Sequence, residues 1–292
     1  MHVLLGSSGQ ITCQVARRLL AGGHAVRVVG RHAQAMAALR AAGADIAAGD
    51  PSDAAFLARA FDGAMTAYTM TPPCHTEPDM GVAQARIGEA VAQALHRTRV
   101  PRVVNLSSIG AELPGGTGPI VPLHVQERRL DALAGIDLLH LRPGSFMDNT
   151  LQAAASIAAG GPLAGMEAPD APVPMVATRD VAAVIARELV TPRHRGVLLL
   201  HAGAPLTMRA VAAALGAAIG RPDLPCAQVA PAEMKAALRA EGFSADAADR
   251  LEDLARWLSR GAMASATAGP VEVQPTSIEA FAREVFAPAC AR

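Results

Sequence analysis

The chain has 292 residues, of which 51% are hydrophobic and 18% charged, and its 26 basic and 26 acidic side chains give a formal net charge of zero. That size and apolar share support one large α/β domain, or one with a small appendage, and the balanced charge without a basic run excludes a nucleic-acid or anionic-membrane footprint. Cys13, Cys74, Cys226 and Cys290 lack the paired spacing of a zinc site, and no apolar run approaches the ~18 residues of a membrane span. With no leader pattern either, a cytoplasmic monomer or homodimer acting on a small molecule is expected, with no metal.

Short apolar runs predict strands at Val3–Leu5, Ala25–Val29, Ala44–Ala47, Met65–Met70, Arg102–Leu106 and Leu138–Leu141. Apolar residues recurring at three and four predict helices between them, over Val15–Ala21, Ala33–Ala42, Asp53–Phe61, Gly81–Arg97 and Val125–Leu133, with Ser52 as an N-cap for the third. Six strands alternating with five helices at this spacing predict a doubly wound parallel sheet of the Rossmann type over residues 1–150, with ligands at the C-terminal strand ends. After Asn149 a Gly/Pro-rich stretch, a helix from Arg179 to Val190, a strand at Val197–Leu200 and further helices predict a smaller, mostly helical substrate region over 151–292 that caps the sheet.

The first strand runs into Gly6-Ser7-Ser8-Gly9-Gln10-Ile11 and then a helix, the arrangement in which backbone N–H groups and the helix dipole hold a pyrophosphate. All six residues are candidate cofactor contacts. The position of the usual third glycine is Thr12, whose branched side chain predicts a helix set farther from the strand or a different phosphate geometry. At the end of the second strand Gly30-Arg31-His32 offers no acid for a ribose hydroxyl, whereas the planar fork of Arg31 suits a 2′-phosphate, so NADP(H) is expected over NAD(H). Asp50 closes the third strand, where it can accept from an adenine amino group or simply end the strand. Thr71 and Pro72 extend the fourth strand toward the expected nicotinamide ribose.

These pieces, with Val104-Asn105-Leu106-Ser107-Ser108, the string Leu141-Arg142-Pro143-Gly144-Ser145-Phe146-Met147-Asp148-Asn149 and Thr178-x-Asp180-Val181-Ala182, resemble the NmrA-like group of atypical short-chain dehydrogenases over residues 1 to about 190. The resemblance implies a cofactor over the glycine turn, touched also by Ser107 and Pro143. It further implies a substrate pocket formed partly by Phe146, Met147 and Asn149, with the C-terminal helices completing it.

Chemistry follows from an absence. With one tyrosine, Tyr68, and one lysine, Lys235, no Tyr-x-x-x-Lys pair exists. His124 stands where the resemblance places a Lys or His, and its ordinary pKa of about 6.5 suits proton transfer; Ser107 is the second catalytic candidate, and equally a helix-cap signal. Hydride transfer to an iminium, a quinone or a conjugated enone delocalises or neutralises charge and depends less on a strong acid, so a reductase of such acceptors is expected. Two alternatives stay open: a non-catalytic NADP(H) sensor, and a redox-neutral isomerase, cyclase or lyase using His124, Glu127 or Asp148. Met65, Met70, Met147, Met166 and Met175 are candidates for an adaptable apolar pocket lining.

Overall fold

The computed structural model describes residues 1–6, 9–266 and 268–291. The first half alternates strand and helix as β1 (His2–Leu5), α1 (Gln10–Ala21), β2 (Val26–Gly30), α2 (Ala37–Ala41), β3 (Asp45–Ala48), α3 (Ala54–Phe61), β4 (Thr66–Met70), α4 (Met80–Thr98), β5 (Arg102–Leu106), α5 (Val121–Asp131) and β6 (Asp137–Pro143). All six expected strands are present. The helices differ mainly at their starts, because apolar periodicity marks only the turns that bury a face: α1 opens at Gln10, and α5 opens at Val121 with Pro122 in its first turn. A 3-10 turn over Ala33–Met36 takes the first half of the second expected helix. Asp53, not Ser52, caps α3: its Oδ1 accepts from Ala55 N at 2.8 Å and Phe56 N at 3.1 Å, while Ser52 N donates to Asp50. A carboxylate at this position also meets the positive end of the helix dipole.

The second half contributes β7 (Ser145–Phe146), α6 (Ala154–Ala158), β8 (Leu163–Gly165), β9 (Met175–Val176), α7 (Thr178–Val190), β10 (Gly196–His201), α8 (Met208–Ala218), β11 (Cys226–Gln228), α9 (Pro231–Ala240), α10 (Ala245–Ser259), β12 (Val271–Val273), α11 (Ile278–Phe281) and α12 (Ala287–Cys290), the last two joined by a π-helical turn. Two of these strands join the main sheet, whose eight strands are parallel in the order β12-β10-β6-β5-β4-β1-β2-β3. Residues beyond 150 therefore finish the sheet as well as covering its end.

Both faces of the sheet are buried, as parallel strands require. Leu4, Val28 and Tyr68 meet α1 and α7 on one face through Val15, Leu19, Val181 and Ile185. Val3, Leu5 and Val103 meet α3 and α4 on the other through Leu57, Phe61, Val91 and Leu95. A third cluster, including Ile157, Val211, Leu215, Trp257, Phe281 and Phe286, holds the C-terminal helices together. The strand order reverses between β1 and β4, and the crevice outside a sheet opens at such a reversal.

Candidate active site

The glycine turn lies at that crevice. Gly6 has φ +132°, donates its N–H to the Val29 carbonyl at 2.8 Å, and would place a Cβ 2.6 Å from Thr12 Oγ1. Only glycine relieves both demands. Thr12 is itself buried, so the side chain where a third glycine was expected fills the space that Gly6 leaves. Gly9 is the N-cap of α1 in an extended conformation and has no side chain to cap it, and the first turn of the helix has no acid. The N–H groups there are left for an anion, and the local chemistry fits a dinucleotide phosphate. Ser7 and Ser8 lie outside the described residues.

Three connected depressions follow the strand ends. A recess of about 440 Å³ is lined by Arg31, Asp50, Cys74 and Arg86; a cleft of about 470 Å³ passes over Gly6 and Gly9 along Pro72; a pocket of about 410 Å³ lies beyond. Arg31, Pro51 and Cys74 belong to both recess and cleft, and Met70, Pro73 and His75 to both cleft and pocket, so the three form one trench. At its outer end the Ser52 N–H, then the Arg31 and Arg86 guanidinium groups, hold the Asp50 carboxyl below its ordinary range. Glu77 lines the recess as well, so two arginines and two carboxylates share it; Arg31 and Arg86 have the chemistry for an adenosine 2′-phosphate and Asp50 that for an adenine amino group.

The inner pocket has apolar walls that include Met70, Leu106, Ile120, Phe146, Leu254 and Met263, and none of its lining residues carries a formal charge. Thr71, Ser107, Pro143, Phe146 and Asn149 all line it. Ser107 is held by its N–H to the Leu141 carbonyl at 2.8 Å, while its Oγ is shielded from water without a hydrogen-bond partner. An unpaired buried hydroxyl of this kind is uncommon in folded proteins. Gln84, buried on α4, donates Nε2 to the Pro72 carbonyl at 2.8 Å and so pins the loop after β4 to the helix. At the far side Gly110, with φ +96°, leaves room for Trp257, which a Cβ would meet at 2.7 Å; this contact seats α10 over the pocket.

Other expected residues lie elsewhere. His124, half-buried on α5, is not in the pocket wall, and its Nδ1–H donates to the Ala111 carbonyl at 2.8 Å. With that proton committed, a neutral ring presents Nε2 as an acceptor. Met147 is fully buried in the C-terminal cluster, Met175 is buried there too, and Met65 is 61% exposed, so of the methionines expected to line a pocket only Met70 does. Ile11 is core, and Gln10 is exposed with its amide oxygen facing the Thr178 hydroxyl at 3.5 Å. Glu127 is engaged by Arg142 at 2.6 and 3.0 Å, and Asp148 accepts from the Thr178 N–H and hydroxyl at 2.8 and 2.7 Å. Arg86, Glu77, Gln84, His75 and Met263 are among the lining residues that sequence reasoning missed. His75 alone carried a signal, two residues after the Pro72-Pro73 pair.

A parallel sheet that reverses at a glycine turn, with a trench from two arginines to an uncharged pocket, defines a Rossmann-type α/β protein with adjoining sites for a dinucleotide and a second ligand. Residues 3–281 match the model of the NmrA-like family, and the chain belongs to that family. It is 31% identical over 223 residues to a (4-alkanoyl-5-oxo-2,5-dihydrofuran-3-yl)methyl phosphate reductase of Streptomyces griseus, covering 76% of this chain and 75% of that one. It is 28% identical over 260 residues to an NAD(P)H azoreductase of Xenophilus azovorans, covering 87% and 86%. Among solved structures, an Escherichia coli NADPH-dependent quinone oxidoreductase complexed with NADPH superposes with TM-score 0.79 at 22% identity, over 98% of this chain and all of that one. A Citrobacter triphenylmethane reductase complexed with NADP(H) superposes with TM-score 0.78 at 17% identity, over 97% and 99%. Among the described residues no helix is long and apolar enough to cross a membrane, and no cluster of His, Cys, Asp and Glu could hold a metal.

Proposed function

We propose that this protein is an NADPH-dependent reductase of an uncharged, conjugated acceptor, a quinone or an enone. The observation that carries the reading is the continuity of the trench, which joins a recess lined by Arg31 and Arg86, the N-terminus of α1 and a charge-free apolar pocket through shared wall residues. The reductase names of the two relatives support it.

Arg31 and Arg86 would hold the 2′-phosphate, the turn at Gly6 and Gly9 the pyrophosphate, and Thr71 and Pro143 the nicotinamide end. When bound, the nicotinamide supplies a hydride. The chain's part is to seat the acceptor against it and keep water out with the walls from β7 and α10. The phosphate ester named for the Streptomyces relative has no counterpart in this pocket, because no Lys or Arg lines it to pair with a dianion. An iminium fares no better, since no carboxylate faces it. The redox-neutral alternative loses support as well, because Glu127 and Asp148 are already engaged.

The test is a titration with NADPH and separately NADH, followed by nicotinamide fluorescence, and then NADPH consumption with menadione and cyclohexenone. Tight NADPH binding with acceptor-dependent consumption is expected. Binding without turnover of any such acceptor would favour a sensor instead, and absence of binding would sink the reading.

A further inference from the structure

The stretch after β6 supplies Gly144, Ser145, Phe146 and Asn149 to the wall of the inner pocket. Only two of its residues belong to a ladder, Ser145 opposite Met175 and Phe146 opposite Val176 in the parallel pair of β7 and β9. Two residues are too few to hold a wall in place by themselves. At its start the stretch is fixed from outside: Gly144 N donates to the Leu200 carbonyl on β10 and Ser145 N to the Pro174 carbonyl, each at 2.9 Å. Gly144 lies so close to that second carbonyl that a Cβ would strike it.

The other end is fixed by one side chain. Counting on from the Phe146 and Val176 pair, Asp148 falls opposite Thr178, and its carboxylate accepts from the Thr178 N–H at 2.8 Å and from the Thr178 hydroxyl at 2.7 Å. The ladder is thus closed by a side chain where its backbone pairing stops. Thr178 is buried and opens α7, so the carboxylate also meets the positive end of a 13-residue helix. Between the ladder and this link, Met147 is sunk in the C-terminal cluster.

The far side of the link leads to the cofactor trench. Helix α7 packs along α1, and their apolar faces share one cluster that includes Val15, Leu19, Val181 and Ile185. The two helices start side by side: Gln10, the first residue of α1, brings its amide oxygen to 3.5 Å from the Thr178 hydroxyl. The first turn of α7 is pinned as well to the segment after β12, since Asp180 accepts from Thr276 N at 3.0 Å and Arg179 Nε donates to the Thr276 hydroxyl at 3.0 Å. One carboxylate therefore fastens a wall of the pocket to a fixed turn beside the start of the helix that follows the glycine turn.

Resting on the reductase reading above, we propose that Asp148 is a positioning residue, which sets the Ser145–Phe146 wall at a fixed distance from the cofactor helix and so holds the acceptor in reach of the nicotinamide. It touches neither ligand and acts through Phe146 and Thr178. Transfer between two bound partners depends steeply on their separation, and a shift of about 1 Å costs up to a hundredfold in rate.

Three variants test this. Asp148→Ala removes both acceptors. Asp148→Asn keeps the link without the charge, because Oδ1 still accepts from the Thr178 N–H and Nδ2 donates to its hydroxyl. Thr178→Val keeps the shape of the threonine and removes one of the two bonds. The readouts are NADPH affinity, calorimetric affinity of menadione for the unreactive NADP⁺ complex, and the rate of hydride transfer in a single turnover at saturating menadione. For Asp148→Ala the expected result is NADPH affinity within about threefold of the parent, menadione affinity lower by about fivefold and transfer slower by about tenfold or more. Asp148→Asn is expected to return both menadione values to within about threefold of the parent. Unchanged menadione affinity and transfer rate in Asp148→Ala overturn the proposal, as does an equal loss in Asp148→Asn, which would make the charge and not the link the cause. A matching fall in NADPH and menadione affinity overturns it too, by showing that the link serves the fold at large. If Asp148→Ala does not fold, Thr178→Val decides, with transfer slower by about threefold expected and an unchanged rate overturning the proposal. Failure of the parent to bind NADPH or reduce menadione removes the reductase reading and this proposal together, an outcome distinct from an active parent with equally active variants.

Discussion

Arg31→Ala is the sharpest probe of the outer end of the trench. A charge-assisted hydrogen bond to a 2′-phosphate contributes about 1.5 to 3 kcal/mol. Arg31 is exposed, which places its contribution at the low end, and Arg86 lines the same recess and remains in the variant. About 1.5 kcal/mol, or roughly a tenfold rise in the NADPH dissociation constant, is therefore expected, with NADH affected less than about twofold. Arg31→Ala with Arg86→Ala should reach roughly a hundredfold, and should flatten the salt dependence of NADPH binding, because two charges facing the phosphate have gone. Nicotinamide fluorescence titrations of both nucleotides at two salt concentrations make the comparison. Equal losses for NADPH and NADH would show that the arginines hold a part common to both, and would refute the assignment of this recess to the 2′-phosphate.

Three other outcomes are expected. Ser107→Ala should leave the thermal midpoint unchanged or raised, since it deletes a buried hydroxyl that has no partner to lose; a clear fall in midpoint would show that the hydroxyl is paired in the folded protein. Gly6→Ala should be destabilised by about 1 to 3 kcal/mol in urea and lose NADPH affinity, and adding Thr12→Ala should restore only part, because it removes the 2.6 Å clash and not the φ of +132°; full rescue would contradict this. Glu188 is fully buried, and although burial pushes its pKa up, the N–H groups of Arg193 and His194 and the His194 ring outweigh this and hold it below 4.5. A carboxyl depressed in the folded state contributes stability above its unfolded pKa and loses it as pH falls through the folded value. Glu188→Gln should thus be less stable than the parent near neutrality and converge with it as the pH drops below about 4, by urea midpoints; parallel curves would refute the assignment.

The layout of the first half was legible because a parallel sheet buried on both faces demands continuous apolar strands, and each helix on it must show a periodic stripe. The glycine turn and Arg31 were legible because their chemistry acts within a few residues of one strand end. Local patterns gave weaker guidance at Ser52, where either of two neighbouring side chains could cap α3 and the backbone direction chose Asp53.

The inner pocket was mostly hidden. Its walls come from the loop after β4, the segment after β5, the β6–β7 turn and α10, brought together from residues 70 to 263 by packing that no local spacing encodes. His124 occupies the expected place along the chain, but a hydrogen bond to Ala111 holds its ring on α5 outside that wall. His75, Gln84 and Arg86 gain meaning only from where α4 and the loop before it lie across the strand ends. The sequence by itself determined six of the eight sheet strands, the glycine turn after the first and the place of Arg31 after the second, because these follow from backbone propensity and the period of burial. The tertiary structure alone decided which side chains share the pocket and which polar atoms are left unpaired there, because shielding and hydrogen bonding are set by neighbours distant in the chain.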